Sequence, residues 1–136
     1  MPLPILMPGT LIPVLDILPG SQNSWVRTRL GFLEGYVSAL YTRTENNSIR
    51  LDTPQPVAKA GREITLKKGT GWLAEPAGSF PAGTKMHVIL ADGDWLYVSV
   101  PQGEMSWRSD PDGTYGYVRK SDVVMAYSEC ALDWMP

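Results

Sequence analysis

The sequence predicts an all-β chain in which one β unit is built twice. Three observations carry this expectation. Gly 13 and Pro 12 break the 136 residues into short runs. Those runs are rich in Val, Ile, Leu, Tyr and Trp, which suit a pleated, half-buried surface, and no segment offers a long apolar stripe of helical period. The tripeptide Gly35-Tyr36-Val37 returns as Gly116-Tyr117-Val118.

The runs "REITL", "KMHVILA", "WLYVSV" and "TYGYVR" place strands at 62–66, 84–91, 95–100 and 115–120. Between them, "PAG" at 81–83, "DGD" at 92–94 and "DPDG" at 110–113 read as turns. Residues 72–81 are expected to form an irregular arm. The tail "SECALDWMP" admits one short helical turn, capped by Ser128 and ended by Pro136.

The repeat extends beyond the tripeptide. "PGTLIPVL" at 8–15 aligns with "AGTKMHVI" at 82–89, with Val14 and Val88 each five residues after the glycine. A polar turn follows, "DILPGSQNS" in one copy and "ADGD" in the other. Trp25-Val26-Arg27 then matches Trp95-Leu96-Tyr97, and Gly-Tyr-Val closes each copy. Four landmarks in one order indicate a β unit built twice. The polar, proline-bearing segment between the copies reads as a linker with one strand at most, "SIRL". The expected organisation is a partial module at 1–43, a linker at 44–61, a complete module at 62–127 and a tail at 128–136.

This order resembles the bacterial Src-homology-3-like (SH3-like) domain: a Gly-Thr turn, a strand, a turn, Trp at the head of the next strand, then Gly-aromatic-Val. The second copy carries it in "GTKMHVILADGDWLYVSV" and "GYVRKSDV", and "REITLKKGTGWLAEPAGSF" resembles the family's opening arm. The resemblance implies two SH3-like barrels, the first partial. It covers about residues 62–125 and, more loosely, 8–42. Two departures stand out. The first copy has only seven residues before Pro8-Gly9-Thr10, so its opening strand and arm are missing unless the linker or the tail supplies them. "PQGEMSWRSDPDGT" at 101–114 stretches a hairpin that the family closes in a few residues, and long loops are disproportionately functional.

Composition narrows the chemistry. The formal net charge is −2 and the pI about 5.3, which leaves no basic field to grip nucleic acid or anionic lipid. No run reaches the ~18 apolar residues of a membrane helix. The opening "MPLPILMPGTLIPVL" lacks a basic start, and its prolines break a signal-peptide helix. His87 is the sole histidine and reads as a partly buried strand residue. Cys130 is the sole cysteine, so neither a disulfide nor a multi-cysteine metal site is available within the chain. The pairs Asp92/Asp94 and Asp110/Asp112 sit in glycine turns, where aspartates bond nearby amides. "DPDG" lacks the distal glutamate of a calcium loop. The sequon Asn46-Asn47-Ser48 reads as chance. No catalytic constellation or cofactor is expected.

Recognition is the function class that remains. Five Trp and six Tyr offer stiff contact area with a polar handle. The expected site is a groove between the arm (Trp72, Glu75), the long loop (Trp107, Arg108, Asp110) and Trp95 with Tyr97. The family resemblance implies non-catalytic targeting to a bacterial cell wall, with peptidoglycan peptides as ligand and an exported parent protein. The alternative is a structural module that joins a partner domain in a larger bacterial assembly, at the surface or inside the cell.

Overall fold

The structure, a computed structural model, describes residues 5–6, 15–18, 25–38, 56–71, 73–103 and 113–126. It is all-β, with two sheets, and divides into two compact units. Leu11–Asp52 form the smaller; Met1–Thr10 and Thr53–Pro136 form the larger. Eleven strands are described: β1 (Ile5–Leu6), β2 (Asp16–Leu18), β3 (Trp25–Leu30), β4 (Leu33–Ser38), β5 (Val57–Ala60), β6 (Ile64–Lys67), β7 (Pro76–Phe80), β8 (Lys85–Asp92), β9 (Trp95–Val100), β10 (Thr114–Arg119) and β11 (Val123–Ala126).

In the larger unit the strand order is β11-β5-β8-β9-β10-β6-β7, with β1 paired to β8 off this path. β8, β9 and β10 are a meander joined by the Gly93-Asp94 turn and by residues 101–113. A 3-10 turn at Lys120–Asp122 redirects the chain into β11, which pairs with β5. One face of the meander meets a core of Ala58, Ala60, Ile64, Leu66, Met86, Val88, Leu96, Val98, Val100 and Val118. Alternation puts Tyr97, Ser99, Tyr115 and Tyr117 on the other face. That face is buried too: Tyr97 and Ser99 are wholly covered, and His87, opposite Ser99, is 1% exposed. The Tyr97 ring lies 5.0 Å from Tyr117 and 6.0 Å from Tyr115, centroid to centroid, in tilted contacts that aromatic quadrupoles favour.

The Gly-Thr landmark has a local explanation. Gly83 takes φ of 90°, open to glycine at no steric cost, and the Thr84 hydroxyl donates to the Pro81 carbonyl at 2.8 Å. The turn is tied to β5 on both sides. Gly83 N–H donates to the Ala60 carbonyl, and Ala60 N–H donates to the Thr84 carbonyl.

Four expectations need correction. Val57–Ala60 is not linker but a core strand, with Val57, Ala58 and Ala60 buried. Its small residues give a weak local signal, and pairing with β8 and β11 on its two edges overrides it. The arm is not wholly irregular, since β7 pairs with β6 from Ile64↔Phe80 to Lys67↔Pro76. Asp16–Leu18, expected as a polar turn, is a strand paired with β3. Met1–Thr10 belongs to the larger unit rather than to a module at 1–43, and its β1 is bonded to β8 through Ile5↔Ala91 and Leu6↔Leu90. "SIRL", the sequon and the tail lie outside the described residues.

In the smaller unit the order is β2-β3-β4. Its register repeats that of the larger unit. Trp25↔Ser38, Val26↔Val37, Arg27↔Tyr36 and Thr28↔Gly35 stand as Trp95↔Arg119, Leu96↔Val118, Tyr97↔Tyr117 and Val98↔Gly116 do. The surroundings differ sharply. A Cβ on Gly116 would come within 2.6 Å of Leu66 Cβ and 3.2 Å of the Lys67 carbonyl, because β6 crosses there; a Cβ on Gly35 would meet nothing within 4 Å. Gly116→Ala should therefore destabilise the larger unit by about 1–3 kcal/mol through overpacking. Gly35→Ala should leave thermal unfolding unchanged or slightly raised. Equal melting shifts for the two variants would refute this asymmetry.

The tyrosine cluster yields a second expectation. Tyr97→Ala should cost about 3–5 kcal/mol in denaturant unfolding, as large buried truncations do. Trp95→Ala should cost clearly less, because that ring is only half-buried.

Candidate functional site at the end of the meander

The chain reverses between β8 and β9 at Gly93-Asp94, and this turn fixes what gathers beside it. Asp92↔Trp95 is the last pair of β8 and β9, and Trp95↔Arg119 the last of β9 and β10, so the three side chains share one face. The Arg119 guanidinium carbon sits 4.6 Å from the Trp95 ring centroid, a cation–π contact at a site open to water. Lys120 N–H donates to the Asp94 carbonyl at 2.9 Å and locks the turn against the end of β10. Next along this face, the Tyr117 phenol is held above its usual pKa, first by burial and then by the Asp92 carboxylate.

At the same end of the strands, a cleft of about 240 Å³ opens between Ala91, Leu96, Lys120, Val123 and Met125. Its walls are apolar, and Lys120 supplies its one cationic side chain. Leu96 and Ala91 are register partners, Val123 begins β11, and Met125 is 39% exposed. Such a cleft suits a small apolar side chain, with the ammonium available to a neighbouring carbonyl or carboxylate.

Of the residues expected to form a groove, Trp95 is on this end of the sheet and half-buried. Tyr97 is fully buried against Tyr115 and Tyr117 and presents no surface to a ligand; its place is in the core. Glu75 is exposed, in the connection to β7, where its carbonyl accepts the Lys68 N–H at 2.8 Å. Trp72, Trp107, Arg108 and Asp110 lie outside the described residues. The cleft residues were not singled out by sequence. Four of the five are apolar residues with no motif of their own, and they come together only because β8 pairs with β9 while β11 pairs with β5 beside them.

Asp92 ends β8 and Asp94 lies in the turn that follows, while Asp112 lies outside the described residues. Among the described residues, no group of three or more His, Cys, Asp and Glu side chains could hold a metal ion. Also among them, no helix is long and apolar enough to cross a membrane.

The raised Tyr117 pKa carries a pH expectation. A phenol whose folded pKa exceeds its unfolded value adds stability that is fully present below about pH 10 and is lost as pH rises through the folded value. Melting temperature should fall on the alkaline side, and Tyr117→Phe should flatten that fall. Asp92→Asn should lower the midpoint of the slow tyrosinate absorbance titration. An unchanged midpoint would show that Asp92 does not act on this phenol.

Comparison with protein-family models, with curated proteins and with solved structures finds no match for this chain.

Proposed function

We propose that the chain is a non-catalytic binding protein built from SH3-like modules in tandem, the first partial. We further propose that the larger unit holds an extended peptide of the kind found in peptidoglycan stems and bridges. The observation that carries this reading is the pairing of an accessible Trp95–Arg119 face with a lysine-rimmed apolar cleft at one end of the same strands. A half-buried indole under a guanidinium gives stacking area and directional donors, and the cleft gives a seat for one side chain. The SH3-like assignment is supported by the landmarks in the sequence. It is also supported by the order of the larger sheet, in which the leading strand β5 pairs with the last, β11, and the arm β6-β7 packs beside β10. The shared register of β3-β4 and β9-β10 supports reading the smaller unit as a second, incomplete copy. On this reading the chain acts at the cell wall as part of an exported protein.

The test is cosedimentation with purified sacculi, followed by titration with a soluble stem peptide. Trp95→Ala should weaken binding about thirtyfold, the effect of losing a hot-spot aromatic worth about 2 kcal/mol. Lys120→Ala should weaken it less, by an amount that shrinks with added salt, because an exposed charge is screened. Trp107→Ala measures the contribution of the long loop. If the wild-type chain ignores both sacculi and peptide but captures a protein partner, the structural-module reading replaces this one.

A further inference from the structure

The smaller unit presents a face that the peptide reading does not use. Register places Leu18 and Trp25 in one row, Asp16, Arg27 and Tyr36 in the next, and Arg29 and Glu34 in a third, all on one side of the sheet. The opposite side holds the buried Val26, Thr28 and Leu30. On the outward side Leu18 is 42% exposed, Trp25 45% and Tyr36 57%. In the larger unit the row corresponding to Arg27 and Tyr36 is Tyr97 and Tyr117, both buried. A guanidinium thus stands where the other copy has a core ring, and the face is built for water.

Its electrostatics restrict what it can bind. Arg27 Nη1 donates to Glu34 Oε1 at 2.7 Å, and Arg29 Nη2 to Glu34 Oε2 at 3.2 Å. These bonds, Arg27's first, hold the Glu34 carboxyl below its usual pKa. With Asp16, the face carries two guanidiniums and two carboxylates, so its formal charge cancels. A polyphosphate would release few counterions on such a surface, and stacking platforms for single-stranded nucleic acid pair their rings with a positive groove. A neutral ligand with planar apolar faces and many hydroxyls matches it better. The rings receive its C–H faces, and the fixed Arg–Glu–Arg array offers paired donors and acceptors. Trp25 and Tyr36 are diagonal neighbours across β3 and β4, roughly 7–8 Å apart or less, close enough for successive units of one chain to meet both rings.

We propose that the Trp25–Tyr36 face binds a neutral, polyhydroxylated sugar chain, namely the glycan strand of the wall. This deepens the reading above by giving the two units two parts of one polymer: the peptide to the larger and the sugar to the smaller. The test is calorimetric titration of the full chain with a β-1,4-linked N-acetylglucosamine oligomer that carries no peptide. The wild type should bind, and Trp25→Ala and Tyr36→Ala should each weaken binding about tenfold or more with unchanged circular dichroism. Trp25→Phe, which keeps a ring, should retain most of the affinity.

Absence of binding by the wild type overturns the proposal, as does equal binding by the alanine variants. So does preferential binding of a thymidine oligonucleotide at this face, or a concentration-dependent self-association that Trp25→Ala abolishes. Failure here leaves the peptide reading standing if the sugar-free stem peptide still binds. Failure of the stem peptide with retained oligomer binding sinks only the peptide reading.

Discussion

Leu66 rests against the backbone of Gly116, and the larger unit is arranged around that contact. A strand can cross another this closely only where one of them lacks a side chain. The crossing brings β6 onto β10 through Tyr117↔Lys67, and a register shift between Leu66 and Lys67 lets the same strand go on to pair with β7. Leu66 is thereby fully buried, beside Ile64, Val98 and Val118 in the core cluster. Without the crossing, the inward face of β10 would have no cover from the arm.

The smaller unit shows what the same register means without that cover. Gly35 occupies the position of Gly116, but among the described residues no strand passes over it, and a Cβ there would meet nothing within 4 Å. The aromatic positions follow suit. Tyr117 packs on Tyr97, whereas Tyr36 stands opposite Arg27 and reaches solvent. One sequence pattern thus supports two outcomes: a two-sided core in the larger unit, and a sheet with exposed Trp25 and Tyr36 on one face in the smaller.

This contrast explains how much was legible beforehand. Strand identity in the meander followed from local composition, and β9 falls at 95–100 as the run "WLYVSV" predicts. The turns at 81–83 and 92–94 followed from their glycines and the residues beside them, while "DPDG" at 110–113 lies almost wholly outside the described residues. The value of β5 did not, because "VAKA" is short and alanine-rich, and its importance comes from partners on both edges. Burial of Tyr97 was also missed: a tyrosine in alternation with Leu96 and Val98 reads as the wet face of a half-buried strand, and alternation cannot reveal a second cover. The cleft was invisible for a related reason, since its apolar residues become a site only through the pairing of the strands that carry them. The half-exposed Trp95 could be anticipated, because its position at the strand head limits how much of it the sheet can cover.

The irregularity at Ile89 in β8 has a kinetic meaning. Up to His87 the strand bonds to β5; past the register shift between Val88 and Leu90 it bonds to β1. One edge therefore serves two partners that both precede it in the chain, one near and one far. β5 lies near β8 in the chain, but Ile5 and Ala91 are 86 positions apart by their numbers (91 − 5). Closing so long a loop is entropically slow compared with forming the local hairpins. During synthesis β1 emerges long before its bonding edge exists, so it must wait for the β8 edge before it can dock.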